Sequence, residues 1–105
     1  MTEVLSDIAI QRGLGSLPGW SRRGDALTRT YQFRNFSSAL EFVNKVGELA
    51  ESADHHPDID IRYSKVVLAL STHSAGGITQ KDLDLAGAID SSTSETSRDD
   101  SGAPA

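Results

Sequence analysis

The apolar residues Ile10, Leu14 and Leu17 recur at spacings of four and three behind Leu5-Ser6-Asp7, where Ser6 is placed to cap a helix. Gly13 and Gly15 restrict that helix to roughly two turns. Pro18-Gly19 signals a turn, Trp20 to Arg22 a short strand, and Asp25 the next turn. From Ala26 to Phe36, Leu27, Arg29, Tyr31, Phe33 and Asn35 alternate with Thr28, Thr30, Gln32 and Arg34. That period of two predicts a strand with its larger apolar groups on one face and a wet, polar opposite face.

Ser38-x-x-Glu41 reads as a capping box opening the longest helix of the chain. Ala39, Phe42, Val43, Val46, Leu49, Ala50 and Ala53 then follow at spacings of three and four, a wide apolar stripe that must lie on a sheet or a partner. The helix is expected to stop before Pro57, because proline pushes the preceding His56 toward extended geometry. Asp58 to Tyr63 and Val66 to His73 read as two strands joined by a tight turn near Ser64-Lys65. In the second, Val66, Leu68, Leu70 and Thr72 share one face, and Val67, Ala69, Ser71 and His73 share the other, which is only half apolar. Gly76-Gly77 breaks the chain, and Thr79-x-x-Asp82 offers a second capping box with Ile78 and Leu83 as a hydrophobic staple. The last helix is expected from about Gln80 to Ile89. Ser91 to Ala105 has no apolar residue larger than alanine and cannot offset its ordering entropy, so residues 91–105 are expected as a disordered tail behind a domain of residues 1–90.

This order assembles most simply as an α+β fold, a four-stranded antiparallel sheet with three helices packed on one face. Composition adjusts the picture only modestly. The 105 residues suit one domain, and a net charge of −5 leaves the chain without the positive surface that phosphate binding requires, so direct nucleic-acid binding is not expected. The absence of cysteine excludes disulfides and thiolate metal sites and is compatible with a reducing cytoplasm. The N-terminus has no basic and apolar run of a signal peptide, and no stretch is long enough to span a membrane.

The three histidines, His55, His56 and His73, all fall at expected element boundaries, where a rigid scaffold presents reactive groups. Imidazole, with an unperturbed pKa of about 6.5, both gives and takes protons near neutrality. The same residues have two plainer readings: turn or surface histidines without chemistry, or a zinc site. The adjacent pair lacks the four-residue helical spacing of common zinc hydrolase motifs, and no cysteine pair accompanies it. Asp82 is a helix-start residue that can also orient a histidine. Glu51, one helical turn before His55, is either a solvated helix residue or a hydrogen-bond partner of a histidine. Trp20 is core or a flat wall for a flat ligand. Arg22, Arg23 and Arg29 read as a solvated edge.

Glu51-x-x-x-His55-His56-Pro57, Tyr63, Thr72-His73, Gly77-Ile78-Thr79 and Asp82 together resemble the pterin-4a-carbinolamine dehydratase family, and the likeness runs from Leu5-Ser6 to Ile89. The resemblance implies the same four-stranded sheet with three helices, and dehydration of 4a-hydroxytetrahydropterin to quinonoid dihydropterin and water, a step in tetrahydropterin recycling. It implies His55 and His73 as the acid–base pair and His56 as a positioning or charge-stabilising group. Asp82 and Glu51 stand behind the histidines, Trp20 is a pocket wall, and no metal or cofactor is required. It further implies a homodimer or homotetramer. The competing expectation is a non-catalytic dimerisation or binding module, since animal relatives act as dimerisation partners of a transcription factor.

Overall fold

The computed structural model describes residues 3–101, with side chains through Thr93. Three α-helices, α1 (Asp7–Leu14), α2 (Phe36–Ala53) and α3 (Gln80–Ser101), cover one face of a sheet of four strands. The strands are β1 (Ser21–Arg23), β2 (Ala26–Gln32), β3 (Asp58–Arg62) and β4 (Lys65–Leu70), in the order β1-β2-β4-β3, with every pair antiparallel. The α+β architecture is therefore the one the hydrophobic pattern predicts.

The alternation in β2 and β4 builds the core. Leu27, Tyr31, Val66, Leu68 and Leu70 are buried on the helix side, together with Phe42 and Val46 of α2 and Ile78, Leu85, Ala86 and Ile89 at the start of α3. The Phe42 ring lies 4.5 Å from Tyr31 and 5.0 Å from Phe33, centroid to centroid, which fixes α2 across the central strands. The first helix packs on the third so closely that a Cβ at Gly13 would come within 2.5 Å of Leu83 Cδ1.

Several element ends differ from expectation for local reasons. The second strand stops at Gln32, although the Phe33 N–H still donates to the carbonyl of Ser64, one position further along the same register, in the neighbouring hairpin turn. The cap of α2 is Asn35, whose Oδ1 accepts the Ser38 N–H at 2.8 Å, so Ser38 lies inside the helix and the Ser38–Glu41 box does not form. The turn between β3 and β4 is Tyr63-Ser64, with Tyr63 at φ 56°. The fourth strand ends at Leu70, and His73–Ala75 form a 3₁₀ turn closed by Gly76 at φ 82°.

Nor does α3 end near Ile89. No glycine or proline lies between Asp90 and Ser101, and a helix already nucleated by its packed first turns extends at one hydrogen bond per residue. Residues 91–101 of the expected tail form the end of α3 in backbone. Residues 102–105 of that tail lie outside the described residues. No helix of the described residues is long and apolar enough to cross a membrane.

Candidate active site

The β3–β4 register sets the site. Asp58, the first residue of β3, pairs with Ala69 near the end of β4, so His55 and His56 enter at the end of the sheet from which Thr72 and His73 leave. All three histidines consequently lie at one end of the β3–β4 pair, although 16 residues of chain separate His56 from His73.

Local structure explains how each gets there. Asp54 adopts the left-handed conformation (φ 51°, ψ 44°), one that aspartate tolerates better than most side chains. Its N–H and that of His55 both return to the carbonyl of Ala50, closing α2 and turning His55 inward. His55 is buried, and its Nε2 lies 2.5 Å from Oδ1 of Asp82, which is 0% exposed. A buried carboxylate must be matched by donors. Asp82 Oδ2 accepts the Thr72 hydroxyl at 2.9 Å and the Thr79 N–H at 2.8 Å. The second bond is half of the expected capping box. Thr79 completes only part of the other half, accepting the N–H of Lys81 at 3.2 Å, because its hydroxyl also meets Thr72 Oγ1 at 2.8 Å. Asp82 therefore starts α3 and holds His55 at once.

His56 and His73 are exposed. Glu51 reaches His56, not His55: its Oε2 lies 2.5 Å from His56 Nε2, in a solvated pair. Exposed pairs of this kind add little stability and act chiefly by orienting the ring. His73 sits in the 3₁₀ turn immediately after Thr72. Beside His55, a cleft of about 410 Å³ runs between α2 and α3, with Leu49, Ala53, Leu85 and Ala88 as apolar walls and Lys81 and Asp84 at its rim. Among the described residues no three His, Cys, Asp or Glu side chains are placed to hold a metal ion.

Trp20 is not brought to the histidines. It is buried, donates its indole N–H to Asp90 Oδ1 at 3.0 Å and meets Tyr31 edge-on. The same carboxylate accepts the Tyr31 hydroxyl at 2.8 Å and Arg29 Nη1 at 3.1 Å, while the Arg29 guanidinium lies 4.5 Å above the Tyr31 ring. Arg29 is thus no edge residue. It faces the helices from the apolar side of β2 and ties that strand to α3. Arg22 pairs with Asp7 of α1 at 2.7 Å. Burial pushes the Tyr31 hydroxyl far above its ordinary range, reinforced by its bond to Asp90.

The sequence reading did not find this Asp90 cluster or the roles of the Thr72 and Thr79 hydroxyls. The signal was present. Arg29 falls on the apolar face of β2 and Thr72 on the apolar face of β4, and a polar group at a core position requires a partner.

A sheet covered on one face by helices, with a buried carboxylate–histidine pair and two exposed histidines at one end, defines a small α+β protein. The chain belongs to the pterin 4 alpha carbinolamine dehydratase family, whose sequence model matches residues 3–92. A relative from Thermomicrobium roseum is 60% identical over 78% of this chain and 88% of its own. One from Roseiflexus sp. is 56% identical over 86% and 97%. Both carry the name pterin-4-alpha-carbinolamine dehydratase as a provisional assignment. Among solved structures, a transcriptional coactivator/pterin dehydratase from Brucella melitensis superposes with a TM-score of 0.82 at 32% identity, covering 85% of this chain and 97% of that one. A pterin dehydratase-like protein described as a RuBisCO assembly factor shares the fold alone, at a TM-score of 0.56 and 18% identity.

Proposed function

We propose that the protein dehydrates 4a-hydroxytetrahydropterin to quinonoid dihydropterin and water, with His55 and His73 as the acid–base pair. The reaction breaks the C4a–O bond and removes the N5 proton, whose electron pair closes the C4a=N5 double bond. Hydroxide is a poor leaving group, so one group must protonate the departing oxygen while another takes the N5 proton. The observation that supports this reading is that all three histidines lie at one end of the β3–β4 pair, one of them bound by the buried Asp82. Membership of the family supplies the substrate class. In this reading exposed His56, which pairs with Glu51, and exposed His73 are the solvent-side groups available to the pterin. No metal or cofactor takes part in this scheme. Trp20, tied to Asp90, supports the scaffold in this reading and is not a wall for the pterin.

The same reading places the protein in a reducing cytoplasm, which its cysteine-free composition suits, as a homodimer or homotetramer. Phe36 and Leu40 favour self-association: they project one turn apart from α2 and are 45% and 39% exposed. Those residues, with the coactivator part of the Brucella protein's name, also support the second reading, a non-catalytic dimerisation or binding module.

Generating the carbinolamine by stopped flow and following its decay with and without protein separates the two. The enzyme reading expects acceleration proportional to protein concentration. A decay rate that protein leaves unchanged overturns it and leaves the binding module.

A further inference from the structure

The hydrogens around Asp82 can be placed one after another. Thr79 N–H is a fixed donor to Oδ2, and the Thr72 hydroxyl donates its only hydrogen to the same oxygen. Thr72 therefore has no hydrogen left for Thr79, so in the 2.8 Å contact between the two hydroxyls Thr79 is the donor and Thr72 the acceptor. Thr79 in turn accepts from the N–H of Lys81. The resulting row, Lys81 N–H to Thr79 to Thr72 to Asp82, has one direction. It leaves Oδ1 to meet His55 Nε2. A carboxylate that takes two donors on Oδ2 offers only acceptor sites on Oδ1 as well, so the shared hydrogen belongs to Nε2. His55 is then the Nε2–H tautomer, and Nδ1, which has no hydrogen-bond partner among the described residues, is the nitrogen left to take a proton.

Thr72 also shapes the segment that carries His73. Its carbonyl accepts the N–H groups of Ala75, Gly76 and Gly77, and its own N–H donates to the Gly77 carbonyl at 2.9 Å. One buried residue thus supports both histidines, His55 through its hydroxyl and His73 through its backbone.

We infer that Thr72 is a positioning residue for the dehydration: its hydroxyl, itself oriented by Thr79, fixes Asp82 so that His55 is held as the Nε2–H tautomer with Nδ1 as the base. The inference rests on the dehydratase reading for its link to rate, but its claim about His55 does not depend on turnover.

The test compares wild type with Thr72→Val, which removes the hydroxyl at nearly constant shape, and Thr72→Ser, which keeps it. Side-chain ¹⁵N resonances of His55 report the tautomer, and kcat and KM report the reaction. Thr72→Val is expected to free the Asp82 carboxylate to turn away from Nε2, which mixes the His55 tautomers and lowers kcat about tenfold with little change in KM, as misplacement of a reacting group does. Thr72→Ser is expected to restore both. Should Thr72→Val fail to fold, Thr79→Val is read in the same way, and is expected to mix the tautomers by releasing the Thr72 hydroxyl. The inference is overturned if a folded Thr72→Val or Thr79→Val keeps the wild-type tautomer, or if Thr72→Ser is as impaired as Thr72→Val, which would make the methyl group's packing the whole role. If wild type fails to accelerate the reaction while its His55 tautomer responds as expected, the dehydratase reading fails and the hydrogen-bond assignment stands.

Discussion

At the residue scale the protein concentrates its buried polar chemistry on two carboxylates, Asp82 and Asp90, both in α3. Replacing Asp82 by Asn tests how strictly the first is wired. The amide NH₂ cannot face Thr72 and Thr79, which are both donors, so it must face His55. His55 Nε2 would then have to accept, which moves its hydrogen to Nδ1 and removes the base. Asp82→Asn is therefore expected to lower the dehydration rate by about a hundredfold or more. A single-turnover rate close to wild type would show that the tautomer of His55 is unimportant. The spacing of residues displayed the histidines and the dual position of Asp82, but not which histidine each acid would hold. Glu51 stands one turn before His55 and yet holds His56, because the left-handed Asp54 turns His55 away into the core.

At the scale of elements, the hydrophobic periods were enough to identify three helices and four strands in order. Ends were less legible, since they depend on single hydrogen bonds that several nearby residues are able to make. The start of α2 shows this: Asn35, Ser38 and Glu41 all have capping chemistry, and the Ser38 N–H goes to Asn35 Oδ1. Asn35→Ala is accordingly expected to cost about 1 kcal/mol in urea unfolding. Glu41→Ala, exposed on the second turn, should stay within about 0.5 kcal/mol. The reverse ranking would restore the Ser38–Glu41 capping box. His73 illustrates the other limit. Period two carried the fourth strand through His73, but the return of Gly77 to pair with Thr72 bends the chain into a 3₁₀ turn after Leu70. That bend arises from a contact across the glycine pair, which no period records.

For the whole molecule, Asp90 clamps the sheet to the last helix through Trp20, Arg29 and Tyr31. Tyr31 holds its proton in the folded state to a pH well above the ordinary value of 10.0, chiefly because burial penalises the phenolate. The unfolded chain releases that proton near pH 10, so stability from this group is fully present below pH 10 and is lost as pH rises beyond it. Thermal melts at pH 8 and 10.5 should show a fall in Tm for wild type that is smaller in Tyr31→Phe. An equal fall in both would remove Tyr31 from the alkaline transition. Tyr31→Phe should itself cost about 1 kcal/mol at pH 8, because Asp90 retains its other donors. The most direct test of the whole account is the rate of carbinolamine dehydration under identical stopped-flow conditions for wild type, His55→Ala and His73→Ala. Acid–base catalysis by this pair predicts that each variant loses about a hundredfold or more in kcat/KM. Variants that both retain the wild-type rate would contradict it.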